Sequence, residues 1–357
     1  MSEPQPNGPV LVVGTGLIGT SIGLALRSRG VQVHLADTDG DRLAAAVARG
    51  AGTDARPDDV SLVVVAVPPA ALGESITAAL AAWPTAVVCD VGSIKALPLE
   101  QVTAGGADTS RYVGSHPMAG SERSGPQAAD AALFSGRAWA VTPHPDSASD
   151  AIDAVRALAD SCDASVVEMS PAEHDAAVAR VSHLPYVVSV LAAAQLLPAP
   201  ASHLALSGQG LRDVTRVAGS DPELWQQILV GNAAQLRLLL ADLRDDIDGL
   251  IAALPGERSG AESFELLDRG RRGTRLIPGK HGAPWTERSV ISVQVPDRPG
   301  ELARLLADAG QSGVNVEDLR IDHDPARCVG IVEVVVHVDA AESFARWLES
   351  SGWSVHK

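Results

Sequence analysis

His116 and Glu122 bracket the run His116-Pro117-Met118-Ala119-Gly120-Ser121-Glu122, an imidazole and a carboxylate separated by small residues. Imidazole is the side chain best suited to taking a proton near neutral pH. Upstream, the apolar run Val10-Leu11-Val12-Val13 leads straight into Gly14-Thr15-Gly16-Leu17-Ile18-Gly19, and a helix begins by Ser21. Three glycines at this spacing serve a tight turn, a close approach of backbone to pyrophosphate, and close helix–strand packing. The N–H groups and positive end of the helix suit phosphate. A proton acceptor downstream of a dinucleotide fingerprint fits the oxidation of a carbinol carbon, with the hydride passing to a nicotinamide.

A sheet must carry these groups. Gln32-Val33-His34-Leu35-Ala36 reads as a second strand and ends at Asp37, eighteen residues past Gly19. An acid there can bond the ribose hydroxyls and would repel a ribose phosphate, which favours NAD over NADP. Asp39 and Asp41 lie close by, so Asp37 can equally be a solvated turn acid. Ser61 to Val67 ends at Pro68-Pro69, and Ala86 to Asp90 ends at Val91-Gly92-Ser93. Both read as buried parallel strands of a doubly wound sheet. Ligands sit beyond the carboxyl ends of such strands, which places Pro68, Ser93 and Lys95 where nicotinamide and substrate would meet. Ser93 either bonds a ligand or caps the next helix.

Composition narrows the class. A chain of 357 residues suggests two or three domains, and 46% hydrophobic residues can fill large cores. The formal net charge of −16 argues against nucleic acid and anionic membrane as partners. Cys89, Cys162 and Cys328 show neither metal-ligand spacing nor a disulfide framework, which fits a reducing cytoplasm and no metal. Met1 to Pro9 has no signal-peptide core, and no apolar run is expected to reach membrane-spanning length.

Past residue 169 the pattern turns helical. Ser170-Pro171-Ala172-Glu173 is a capping-box start, and Pro185 should kink or stop the helix that follows. Asp221-Pro222-Glu223 starts another. Apolar residues from Leu224 to Leu250 recur at helical spacing, so one helix over 222–254 would be about 50 Å long. Such a helix calls for a second subunit, hence an all-α dimerisation domain. Leu211 to Arg216 joins two helical stretches. Its arginines, Arg212 and Arg216, can hold a carboxylate bidentately or serve surface ion pairs. His183, one turn from a proline, reads on its own as structural.

Together these segments resemble the bacterial prephenate dehydrogenases of tyrosine biosynthesis and the related arogenate dehydrogenases. The matching stretches are Gly14 to Gly19, Asp90 to Lys95, His116 to Glu122 with Ser124-Gly125, Ser182-His183-Leu184-Pro185, and Arg212 to Arg216 leading to Asp221-Pro222 and Trp225. The resemblance implies a Rossmann-type domain over 1–169 and a helical dimerisation and substrate domain over 170–254. It implies NAD bound by Gly14, Thr15, Gly16, Leu17, Ile18, Gly19, Asp37, Pro68 and Ser93. His116 would be the polarising base, and Ser93 would position the ring hydroxyl and the nicotinamide. Arg216 would hold a substrate carboxylate, Glu122 would join the polar network, and His183 and Trp225 would border the pocket. Many relatives carry a second histidine where this chain has Tyr186, a departure at the substrate's polar end. The implied reaction is oxidative decarboxylation of prephenate to 4-hydroxyphenylpyruvate, with arogenate as the alternative substrate. A non-catalytic NAD and amino-acid sensor is the rival class.

Residues 255–287 hold nine glycines and prolines and read as a linker or irregular arm. Over 288–357 the order of elements reads βαββαβ, ferredoxin-like. The turn Asp297-Arg298-Pro299-Gly300 and Asn315 resemble an ACT domain. That implies an amino-acid effector, tyrosine, held near Asp297, Gly300 and Asn315; a fold used only for assembly is the alternative.

Overall fold

The structure is a computed structural model that describes residues 6, 8–120, 123–254, 259–278, 286–323 and 329–356. The chain forms two compact units, 1–245 and 246–357.

The first unit is built on seven strands, β1 (Val10–Val13), β2 (Val33–Ala36), β3 (Leu62–Val65), β4 (Val87–Asp90), β5 (Tyr112–Pro117), β6 (Ala138–Thr142) and β7 (Ser165–Glu168). They lie in the order β2-β1-β3-β4-β5-β6-β7, parallel except where β6 runs against β5. Helices α1 (Leu17–Ser28), α2 (Gly40–Ala48), α3 (Leu72–Ala82), α4 (Ala96–Ala104) and α5 (Ser149–Ser161) cover the two faces. Alternate residues of β1 decide which. Val10 and Val12 enter a core with Ile22 and Leu26 of α1 and Val155 and Leu158 of α5. Leu11 points the other way, into a core with Ile76 of α3 and Val102 of α4. Strands buried on both faces need continuous apolar runs, which is what these are. The winding reverses at β1, which pairs with β2 on one side and β3 on the other. A crevice opens there beyond the carboxyl ends of the strands.

The helical residues follow. Ser170 caps α6 (Pro171–Val178) in a full capping box with Glu173, as expected. Pro185 does not stop the helix. A single π turn, Ala179–His183, widens the backbone just before it, and α7 (Leu184–Ala194) continues with Pro185 in its first turn. A π turn removes the i−4 register that proline would clash with. The continuous stretch Pro171–Ala194 is long and apolar enough to cross a bilayer, contrary to expectation. Here it is built into the folded unit through buried His174, Asp175 and His183.

Beyond α8 (Ala201–Leu204), the segment expected to join two helices is itself helical: α9 (Gln209–Thr215) and a 3-10 turn, Arg216–Gly219. The expected single helix over 222–254 is two, α10 (Pro222–Gly231) and α11 (Ala233–Ala253). The break falls at Asn232, whose φ of −118° and ψ of 28° leave the helical region. Gly231 packs there against Ile94, where a Cβ would come within 2.3 Å of Cδ1. Ile228 enters the same core as β3 and α3.

In the second unit, Ser259–Thr274 is a helix, α12, and not the irregular arm that its glycines suggested. Ion pairs offset the poor propensity: Arg271 and Arg272 with Asp268, Arg272 with Glu265, and Arg269 with Asp246. Then come β8 (Arg288–Pro296), α13 (Glu301–Gln311), β9 (Val316–His323), β10 (Val329–His337), α14 (Val338–Ser350) and β11 (Ser354–His356). The four strands form an antiparallel sheet in the order β11-β8-β10-β9. Leu305 of α13 and Phe344 and Leu348 of α14 pack on Ile291, Val293 and Val334.

Candidate active site

The glycine turn after β1 has the shape a dinucleotide needs. Gly14 sits at φ +99°, and a Cβ there would lie 2.4 Å from the Ala66 carbonyl oxygen. A Cβ on Gly19 would lie 1.9 Å from the carbonyl oxygen of Gly14, so this glycine lets α1 close onto the turn. Gly16 faces open space, and no side chain caps α1, which leaves room and free N–H groups for phosphate. Leu17 and Ile18 form the first turn of α1, and Ile18 packs into the core. Asp37 is more than a solvated turn acid. Its carboxylate accepts the Thr15 N–H at 2.6 Å, the Thr15 hydroxyl at 2.8 Å and the Asp39 N–H at 2.9 Å. Burial pushes this carboxyl up, but the bonds from Thr15 and Asp39 outweigh it and hold it below its ordinary value. Asp39 is the cap of α2. Pro68 lies just past β3, at the start of a 3-10 turn. These residues fit NAD.

His116 lies near the end of β5. Its Nδ1 is 2.9 Å from Nε2 of His174, with the rings edge to face at 68°. His174 Nδ1 is 2.8 Å from Oδ1 of Asp175. The same carboxylate accepts the backbone N–H of Lys95 and of Ala96, each at 2.9 Å, and so caps α4 from a distant segment. Ser93 is therefore not the cap of α4; it lies just beyond the end of β4. Burial, then the neighbouring His174, Lys95 and His183, hold the His116 imidazole well below its ordinary value. Burial also lowers His174, against the opposing bond to Asp175. Both rings are neutral at neutral pH.

Lys95 does not reach the ligand crevice as its position suggested. Its side chain is fully buried, with Nζ bonded to the Asp90 carboxylate and, at 2.7 Å, to the Ser115 carbonyl. The Tyr112 hydroxyl donates to the other Asp90 oxygen at 2.7 Å. A buried ammonium persists only when paired and hydrogen-bonded, and Asp90 on the neighbouring strand end meets that need.

The helices complete the wall. Asn232 donates to the Asp175 carbonyl at 2.7 Å and lies 3.2 Å from His183 Nδ1. The His183 ring stands edge-on to Trp225, and Trp225 stacks on Tyr186 with centroids 3.6 Å apart and planes within 3°. Burial pushes His183 down to about 4. Arg216 is exposed at the turn after α9. Glu122 lies outside the described residues.

The structure thus joins His116, His183, Tyr186 and Trp225 through three residues that the motifs did not single out: His174, Asp175 and Asn232. The available signal was position. His174 and Asp175 precede Val178 and Ala179 by one helical turn and share their buried face. Polar residues on a core-facing stripe ask for partners.

Residues 22–168 match the family profile "Prephenate dehydrogenase, nucleotide-binding domain", and residues 170–267 match "Prephenate dehydrogenase, dimerization domain". The chain is 35% identical to the Probable prephenate dehydrogenase NovF of Streptomyces niveus, over 96% of this chain and 98% of that one. It is similar to the crystal structure of Synechocystis arogenate dehydrogenase (26% identity, TM-score 0.64, 74% of this chain and 99% of that one). It shares its fold with Aquifex aeolicus prephenate dehydrogenase in complex with hydroxyphenyl propionate and NAD+ (24% identity, TM-score 0.68, 76% of this chain and 98% of that one). A glycine cradle closed by Asp37, an imidazole at the end of β5 and matches running in order along the chain lead to one conclusion: this protein belongs to the prephenate dehydrogenase family.

Proposed function

We propose that this chain catalyses the NAD-dependent oxidative decarboxylation of prephenate to 4-hydroxyphenylpyruvate. The observation that carries the reading is the half-buried, neutral His116, held through Nδ1 so that Nε2 is left for a substrate hydroxyl. Prephenate has a ring carbinol opposite a ring carboxylate. NAD, when bound, accepts the hydride that leaves the carbinol carbon. His116 takes the hydroxyl proton as the hydride departs. The bond to the ring carboxylate then breaks, its electron pair completes the aromatic ring, and carbon dioxide leaves. The proton held on His116 returns to the phenolate oxygen, so no net proton is released. Ser93 would orient the hydroxyl, Arg216 would hold a carboxylate, Glu122 would join the polar network, and His183, Tyr186 and Trp225 would line the pocket. Much of the task is alignment plus one poised base.

Arogenate is the second reading. The likeness to an arogenate dehydrogenase supports it, as does Tyr186 at the position where many relatives carry histidine. Formation of NADH with each substrate in turn tests both readings. Turnover with prephenate alone supports the first, turnover with arogenate alone supports the second, and none with either supports a sensor.

We divide the roles as 1–169 for cofactor, 170–254 for substrate and pairing, 255–287 as connection and 288–357 for regulation. A homodimer is supported by exposed Val181, Leu191, Leu197, Leu206, Val230 and Leu238 on the helices and turns of 170–245. A ferredoxin-like, ACT-type regulatory module is supported by the βαββαβ order, by the strand order β11-β8-β10-β9, and by Gly300 at φ +92° at the head of α13. Tyrosine is the proposed effector, near Asp297, Gly300 and Asn315. Binding and inhibition by tyrosine in a titration to millimolar concentration would support it; neither effect would remove it. The buried free thiols Cys89 and Cys162 fit a reducing cytoplasm.

A further inference from the structure

His174 has no role in the reaction described above, yet His116 rests on it. The direction of the hydrogen bonds follows from the far end of the chain. The Asp175 carboxylate already accepts two backbone N–H groups at the start of α4, so it faces His174 as an acceptor. His174 must present an N–H at Nδ1. A neutral imidazole has one N–H, so Nε2 of His174 is an acceptor as well. Across the 2.9 Å contact, the proton of neutral His116 must therefore sit on Nδ1, and its lone pair on Nε2.

We propose that His174, backed by Asp175, is a positioning residue that fixes the His116 tautomer able to accept a proton from the substrate hydroxyl. The inference rests on the reading of His116 as the base. The other tautomer would offer that hydroxyl an N–H and accept nothing. Which ring nitrogen is free is set by the bond the other one makes. Because the proton returns to the product oxygen, it need not pass beyond His116, and a fixed tautomer suffices. Other groups face the pair from the elements around it: Lys95 and Asp90 from the end of β4 and the start of α4, and His183 from the π turn. Asn232, at the junction of α10 and α11, holds the Asp175 backbone.

The test is the full-length enzyme carrying His174→Phe or His174→Gln, with His116→Asn as reference. Glutamine can accept from His116 through its carbonyl and donate toward Asp175 through its amide; phenylalanine can do neither. The phenylalanine variant should lose at least ~10-fold in kcat, up to the ~10²–10⁴-fold of a lost general base. Its NAD dissociation constant should hold. Glutamine should recover most of kcat. Nitrogen-15 NMR of the His116 ring should show Nε2 unprotonated in the wild type and the glutamine variant, and a tautomer mixture with phenylalanine. Should the phenylalanine variant lose NAD binding, His174→Asn, too short to reach His116, is measured in its place. Wild-type kcat and an unchanged His116 tautomer in the variant lacking the bridge, while His116→Asn is inactive, overturns this inference alone. Full turnover by His116→Asn removes the base itself.

Discussion

The Asn232 side chain donates to the backbone carbonyl of Asp175 at 2.7 Å, across 57 positions of sequence. The same residue divides α10 from α11. The point where the long helical pattern breaks is thus the point where the helices are tied to the acid behind His174.

Asn232→Leu should therefore destabilise the protein. The buried Asp175 carbonyl would lose its side-chain partner and keep only the Ala179 N–H, at a cost of about 0.5–1.5 kcal/mol. The urea midpoint should fall and kcat should fall with it, because Asp175 holds His174. An unchanged midpoint and rate would show the bond to be idle.

His116→Asn should cut kcat by ~10²–10⁴-fold, the range for a lost general base. The glycine turn and Asp37, proposed to hold NAD, are residues that His116 does not touch, so the NAD dissociation constant should stay within a few fold. Steady-state kinetics and calorimetric NAD titration give the two numbers separately.

Asp37→Ser should weaken NAD by roughly 10–100-fold, as expected for losing a hydrogen bond to a charged acceptor at about 1.5–3 kcal/mol. The same change removes a negative charge that repels a ribose phosphate, so the preference for NAD over NADP should shrink. The ratio of kcat/KM with the two cofactors reports it. A ratio equal to that of the wild type would place the ribose elsewhere.

Acid should destabilise this unit before its carboxylates titrate. His116, His174 and His183 all have values lowered by burial in the folded state, His183 to about 4. From pH 6.5 downward the unfolded chain takes up protons that the folded chain refuses. Stability is then lost as pH falls, and it is fully present above 6.5. Urea midpoints at pH 7 and pH 5 should differ, with the lower at pH 5. Equal midpoints would mean that these rings are charged in the native state.

Much was legible in the chain alone. The strands β1 to β4, the capping box at Ser170, the start at Asp221 and the βαββαβ order follow from local rules: apolar runs, glycine spacing and cap chemistry act over a few residues. The glycine turn and Asp37 were legible for the same reason, since they form one continuous strand-turn-helix-strand stretch. Pro185 was read as kinking or stopping the helix, and the α register is interrupted just before it; Asn232 and 259–274 were misread because distant partners outweighed propensity. A π turn accommodates the proline, a contact with Ile94 and Asp175 breaks the long helix, and paired arginines keep the glycine-rich segment helical.

The sequence by itself determined that an imidazole would follow a dinucleotide turn. Only the tertiary structure decided which nitrogen of that imidazole is bonded to His174. His116, His174, Asp175, Lys95 and Asn232 come from four separate segments, and hydrogen-bond direction exists only once they meet. For the same reason Lys95, expected from sequence to lie beside the ligands, is sealed in the interior: its ammonium is bound to Asp90 and the Ser115 carbonyl, partners that local spacing cannot reveal.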